Sequence, residues 1–253
     1  MKRFASLFLG VCCLGLMSFL AYKKQPITVY LIGDSTMSIK ETKAYPETGW
    51  GMPFKYFFDS SVTVENHAKN GRSTRTFIEE GLWQPVASSM KAGDYLFIQF
   101  GHNDEVPTKK SYTPEAAYRA NLERFITEAR KKNVTPILIT PAARRKFDAA
   151  GNMEETHAVY SGIVRTVAQQ QKVALVDLDR KSQALLQKLG PEASKLLFVH
   201  LQPQEHPNYP QGKVDDTHFN ELGAREMAQL VLAELRAQKV DLLERLVKPQ
   251  VKQ

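Results

Sequence analysis

Short apolar runs alternate with longer amphipathic stretches along the chain. Residues 27–33 (ITVYLIG) are rich in β-branched side chains and stop at Gly33-Asp34. Residues 62–68 (VTVENHA) alternate apolar and polar positions, the period of a half-buried strand. Residues 94–101 (DYLFIQFG) are almost continuously hydrophobic, as a strand covered on both faces should be. Residues 136–140 and 173–178 supply a fourth and a fifth run. Between them, residues 114–132 place Tyr118, Leu122, Phe125, Ile126 and Ala129 on one helical face, with Pro114 suited to the first turn. Residues 154–171 and 220–247 carry the same period, the latter long enough for two helices in tandem. Strands alternating with helices predict an α/β domain with right-handed crossovers and a five-stranded, mostly parallel sheet covered on both faces. Residues 200–215 break the pattern. Pro203, Pro207 and Pro210 predict an irregular loop there, and a loop of that length in a compact domain is more often functional than idle.

The amino-terminal segment stands apart from this pattern. Met1-Lys2-Arg3 is basic, residues 4–21 carry no charge, and Lys23-Lys24 closes the run. Residues 1–22 are therefore expected to be an export signal, or an amino-terminal membrane anchor if they are retained, leaving a domain over residues 26–250. Both cysteines, Cys12 and Cys13, fall in that segment. The exported part then has neither a disulfide framework nor a cysteine-ligated metal. Losing Lys2 and Arg3 with the signal lowers the net charge from +7 to +5. The basic residues are scattered rather than gathered into a stripe, which argues against a nucleic-acid partner and suits an acidic substrate.

In open α/β sheets ligands bind at the carboxyl ends of the strands. Four polar blocks fall at such places: Gly33-Asp34-Ser35-Thr36, Asn70-Gly71-Arg72-Ser73, Gly101-His102-Asn103-Asp104, and Asp215-Asp216-Thr217-His218 before the last helix. Ester hydrolysis needs a nucleophilic hydroxyl, a base within reach, a carboxylate to orient the base, and fixed donors for the oxyanion. Ser35 can supply the hydroxyl and, through its own N–H, one donor. His218 can be the base, with Asp215 turning back on it from a loop or first helical turn. Gly71 offers an unobstructed backbone N–H, and Asn103 a side-chain N–H. Taken singly, each block has a bland reading. Ser35 and Thr217 could cap helices, Asn70-Gly71 is an ordinary turn, and His67 and His102 could be satisfied polar residues near strand ends. Their joint occurrence in consecutive units favours the chemistry.

Gly33-Asp34-Ser35, Gly71, Gly101-x-Asn103-Asp104 and Asp215-x-x-His218 resemble, in order, the four blocks of the SGNH (GDSL-type) hydrolases. The resemblance implies a flavodoxin-like three-layer α/β/α sandwich, a triad of Ser35, Asp215 and His218, and an oxyanion hole of Ser35, Gly71 and Asn103. Gly49-Trp50-Gly51, Asn70-Gly71-Arg72-Ser73-Thr74-Arg75, Thr140-Pro141-x-x-Arg144-Arg145 and Asp216-x-His218 are similar to the rhamnogalacturonan acetylesterase branch, which deacetylates pectin. That branch implies an acetylated polysaccharide as substrate. The acyl-transfer chemistry needs no cofactor and no metal, and the chain is expected to act as a monomer with no membrane partner beyond the amino-terminal segment. Substrate contacts are expected from Trp50 stacking on a sugar ring and from Arg72, Arg75, Arg144 and Arg145 meeting galacturonate carboxylates. His200 and His206 would wall the cleft. The rivals are a broad-specificity esterase or lipase, a deacetylase of another glycan such as xylan, an anion-binding flavodoxin-type module, and a metal-dependent hydrolase using Asp34, Asp104, Asp215, Asp216 and His218. No Gly-x-Ser-x-Gly elbow, His-Glu-x-x-His or phosphate-binding glycine loop occurs.

Overall fold

A computed structural model describes residues 24–248; the expected export segment lies outside them. In chain order the elements are β1 (Ile27–Gly33), α1 (Gly51–Phe54), β2 (Val62–Asn66), α2 (Thr74–Glu79), α3 (Trp83–Ser89), β3 (Tyr95–Gln99) and α4 (Glu115–Lys131). They continue as β4 (Thr135–Ile139), α5 (Ala158–Gln171), β5 (Ala174–Val176), α6 (Leu178–Ala193), β6 (Phe198–Leu201), β7 (Lys213–Phe219) and α7 (Glu221–Ala237). Five strands form one sheet in the order β2-β1-β3-β4-β5, and every pairing in it is parallel. This is the flavodoxin-like order, whose direction of travel reverses between β1 and β3. Ligands in such sheets sit outside the carboxyl ends at that switch point, which is where Ser35 follows β1 and Asn103 follows β3.

The strand period of two sorts the core into two layers. Val29, Leu31 and Phe97 join Trp50, Phe54 and the buried faces of α6 and α7. Tyr30, Ile32, Leu96 and Ile98 join Trp83, Phe100 and the buried faces of α3, α4 and α5. The five side chains predicted on the α4 face are all buried. No helix among the described residues is long and apolar enough to cross a membrane.

Three expectations are corrected. Residues 200–215 are not wholly irregular, because β6 and β7 form a two-stranded antiparallel sheet around a prolyl loop. Asp215 and His218 therefore stand on β7, not in a loop or a helical turn. Asn220, not Thr217, caps α7, its side chain accepting from Gly223 N–H at 3.0 Å. Residues 220–247, read as long enough for two helices in tandem, form α7 to Ala237 and then a short 3-10 helix, Asp241–Arg245.

Candidate active site

The turn after β1 is held from below. Asp34 is fully buried, and its Oδ1 accepts from Thr36 N–H (2.9 Å) and Thr36 Oγ1–H (2.8 Å). Gln99, the last residue of β3, donates to Thr36 Oγ1 (3.0 Å) and accepts from the Trp50 indole N–H (2.6 Å). Trp50 is fully buried, so it is a strut beneath the Ser35 turn and not a platform for sugar. Its neighbour Gly49 has no room for a side chain: a Cβ there would stand 2.1 Å from the Ser38 carbonyl oxygen. The Gly-Trp-Gly motif is thus the mould against which the turn is cast.

On this turn Ser35 stays 9% exposed. Its Oγ lies 2.9 Å from His218 Nε2, and His218 Nδ1 lies 2.8 Å from Asp215 Oδ2. An ionised carboxylate only accepts, so Nδ1 carries the ring proton and Nε2 presents its lone pair to the serine hydroxyl. Asp215 is itself pinned, with Oδ1 accepting from the N–H groups of Thr217 (2.9 Å) and His218 (2.8 Å). Burial pushes its carboxyl up, but the hydrogen bond and charge of His218 outweigh that and hold it well below the usual carboxylate range.

The other two blocks arrive beside it. Gly71 has φ +76°, a left-handed conformation that glycine adopts without strain. Asn103 is buried and spends one amide N–H on the Arg72 carbonyl (3.1 Å), leaving a second hydrogen on the same nitrogen. Asp104 anchors the turn at Gly71, its Oδ1 accepting from Thr74 N–H (2.9 Å) and Thr74 Oγ1–H (2.6 Å). Burial drives the Asp104 carboxyl up to about 7. The folded chain therefore keeps a proton that the unfolded chain gives up near the ordinary value of 3.8, and stability from this group falls as pH rises between the two. Asp104→Asn keeps the acceptor and removes the titration. Its stability relative to wild type, read from urea unfolding, is expected to improve by roughly 2–4 kcal/mol between mildly acidic and mildly basic pH.

The expected substrate contacts divide. Arg144 is used within the protein, donating to Thr217 Oγ1 (2.9 Å), the His102 carbonyl (3.2 Å) and Glu105 (3.4 Å). Arg145 is likewise taken by Asp216 (2.7 Å) and Ser194 (3.0 Å), and His200 by Asp216 (2.7 Å). These three brace β7. Arg72 and Arg75 are more exposed, paired with Glu80 (2.9 Å) and Glu79 (2.6 Å). His206 lines a cavity of about 610 Å³ together with Tyr45, Tyr56, Lys55 and Arg225. His67 meets Glu65 at 3.1 Å as a satisfied polar residue. His102 does not: it is buried 4.4 Å from the His157 ring with neither nitrogen hydrogen-bonded to a described residue, and burial keeps it neutral.

The sequence reading missed Lys40, Glu47 and Lys213. Glu47, Asp215 and His218 bring ligand-type atoms within 4.8 Å of one another. The Lys213 ammonium stands 3.3 Å from Glu47 and 3.2 Å from Asp215, so a side chain supplies the positive charge those carboxylates attract. Asp34 and Asp104 are engaged separately by Thr36 and Thr74.

Residues 31–226 match the GDSL-like Lipase/Acylhydrolase family. The chain is 45% identical over 208 residues to rhamnogalacturonan acetylesterase RhgT of Bacillus subtilis, covering 82% of this chain and 89% of that protein. It is 33% identical to the probable rhamnogalacturonan acetylesterase YesY of the same organism, covering 87% and 97%. The crystal structure of Bacillus subtilis YxiM superposes with a TM-score of 0.73 at 27% identity, covering 85% of this chain and 58% of that one. With its motifs, sheet order and relatives in agreement, the chain belongs to the GDSL-like lipase/acylhydrolase family and is a carboxylic ester hydrolase.

Proposed function

We propose that this protein is an exported acetylesterase that removes O-acetyl groups from rhamnogalacturonan through an acyl-enzyme on Ser35. The observation that carries the chemistry is the continuous line Ser35 Oγ, His218 Nε2, His218 Nδ1, Asp215 Oδ2, with contacts of 2.9 and 2.8 Å. The similarity to RhgT supports the substrate. Ser35 Oγ attacks the acetyl carbonyl while His218 takes its proton. The oxyanion is received by the N–H groups of Ser35 and Gly71 and by the Asn103 amide. His218 then returns the proton to the departing sugar hydroxyl, Asp215 holding the ring throughout, and water releases acetate by the same path. An acetyl group needs only a small acyl pocket. Arg72, exposed beside Asn103, is the arginine best placed to meet a galacturonate carboxylate.

The test is acetate release from acetylated rhamnogalacturonan, homogalacturonan and xylan side by side, with Ser35→Ala as control. The reading expects rhamnogalacturonan to be turned over at least tenfold faster, by about 1.4 kcal/mol in the barrier. Equal rates on all three would overturn the pectin assignment while leaving the serine esterase in place.

A further inference from the structure

Four catalytic blocks reach the site from distant parts of the chain, and one buried ammonium ties two of them together. The Lys40 side chain is 1% exposed. Its Nζ donates to the Ser35 carbonyl (2.5 Å), to Asn70 Oδ1 (2.8 Å) and to Glu47 Oε1 (2.8 Å). An ammonium has three donors, so each is used and none remains for substrate. Asn70 immediately precedes Gly71, so its side chain anchors the turn that carries an oxyanion donor. Ser38 Oγ–H adds a second bond to the same Asn70 oxygen (2.6 Å). Glu47 continues the contact through its other oxygen to Lys213, and Lys213 meets Asp215 Oδ2. A ladder of alternating charge, Lys40–Glu47–Lys213–Asp215, thus runs from the nucleophile turn to the carboxylate behind the base.

Stability alone gives little reason for such an ion. Burial pushes the Lys40 ammonium down from its ordinary value, with Glu47 offsetting part of that. A well-packed apolar side chain of similar length often serves a fold as well as a buried ion pair. What an apolar residue cannot do is hold the Ser35 carbonyl and the Asn70 amide at once. We propose that Lys40 is a positioning residue for ester hydrolysis, locking the nucleophile turn to the Gly71 turn and, with Glu47, setting the charge balance at His218. The inference rests on the reading of Ser35 and His218 as nucleophile and base.

The charged and titratable groups around His218 are Asp215 and Lys213 on its own strand, Glu47 with Lys40 behind it, Asp34 after β1 and His102 after β3. Burial biases Asp34 and His102 towards their neutral forms. Asp215, Glu47 and the two lysines are left as the charges that matter. Lys40→Met leaves Glu47 less compensated, which favours the imidazolium, so the acid limb of kcat/KM moves to higher pH. Glu47→Gln leaves the lysines uncompensated and moves it to lower pH. The double variant removes both charges and returns the limb towards wild type, while the Ser35 carbonyl stays untied.

The experiment is hydrolysis of p-nitrophenyl acetate from acid to neutral pH by wild type, both single variants and the double variant, with unfolding curves for each. Lys40→Met is expected to lower kcat by roughly 10²-fold with KM within about twofold, the size of effect a displaced reacting group produces. The two single variants should shift the acid limb in opposite directions, and the double variant should restore its position without restoring kcat. A Lys40→Met enzyme with wild-type kcat, or single variants whose limbs move together or not at all, would overturn the inference. Should Lys40→Met fail to fold, the limb of Glu47→Gln and of the double variant decides. Ser35→Ala runs alongside: its retained turnover would overturn the underlying triad, whereas its inactivity beside a wild-type-like Lys40→Met would overturn this inference only.

Discussion

Ser35→Ala is expected to lose roughly 10⁴–10⁶ in kcat while keeping the wild-type fold and melting temperature. The two halves of that expectation have separate grounds. The Ser35 hydroxyl makes one side-chain hydrogen bond among the described residues, to His218, and the turn beneath it is held by Asp34, Thr36 and Gln99 instead. Removing one small oxygen from a position that is 9% exposed opens no cavity of consequence. The neighbouring hydroxyls, by contrast, are spent elsewhere: Ser38 Oγ is committed to Asn70 and Thr36 Oγ1 to Asp34. Asp215→Asn separates orientation from attack. The amide can still accept, but it puts an NH2 group where the carboxylate offers two acceptor oxygens to His218, Thr217 and Lys213. The ring is then held in the wrong tautomer, at a cost of about 10⁴ in kcat. Asp215 stays ionised far below the usual carboxylate range, so its own protonation does not cause any loss of activity in mild acid. Steady-state rates on p-nitrophenyl acetate with thermal melts of each variant are the measurement. A Ser35→Ala enzyme within tenfold of wild type would move the nucleophile elsewhere.

How far the molecule can be read from its sequence follows from how local each signal is. Four of the five sheet strands are legible because each is a dense apolar run, the look of a parallel strand covered on both faces, and β2 is legible because it alternates apolar and polar positions. The placement of Ser35, Gly71 and Asn103 follows directly, since each lies just past such a run. Asp215 and His218 are legible as a spaced pair, but their strand is not. Residues 213–219 (KVDDTHF) are mostly polar and only partly buried, and they owe their regularity to pairing with β6 across a prolyl loop. The α6 helix is hard to read for a similar reason, since its period is interrupted at Gly190 and Pro191. Partnerships are the least legible of all. Arg144 and Arg145 look like free cations until Thr217 and Asp216 are brought to them by the fold. Lys40, Glu47 and Lys213 become a ladder only across a separation of well over a hundred residues. An isolated aromatic beside a motif carries the same ambiguity, because one dimension does not say which way it faces.

Trp50 turns that ambiguity into a measurable difference. Trp50→Ala is expected to destabilise the fold by about 3–5 kcal/mol, the usual cost of emptying a fully buried large aromatic site. For a domain of this size that corresponds to a fall in melting temperature on the order of 10 °C. The indole packs edge-on against Phe54 with ring centroids 5.4 Å apart, and its N–H satisfies the buried Gln99 Oε1. Trp50→Phe keeps most of the packing and removes that donor, so it should recover part of the loss and leave roughly 1–3 kcal/mol, the penalty of one unsatisfied buried acceptor. Activity should fall with stability, because Gln99 also holds Thr36, and Thr36 holds Asp34 beneath Ser35. The expected kinetic signature is a lower kcat on p-nitrophenyl acetate, a substrate with no sugar to stack. A sugar platform would behave in the opposite way: melting temperature and turnover of the small ester unchanged, and KM raised on the polysaccharide alone. Urea unfolding of both variants, together with kinetics on the small ester and the polymer, distinguishes a strut under Ser35 from a surface that grips the substrate.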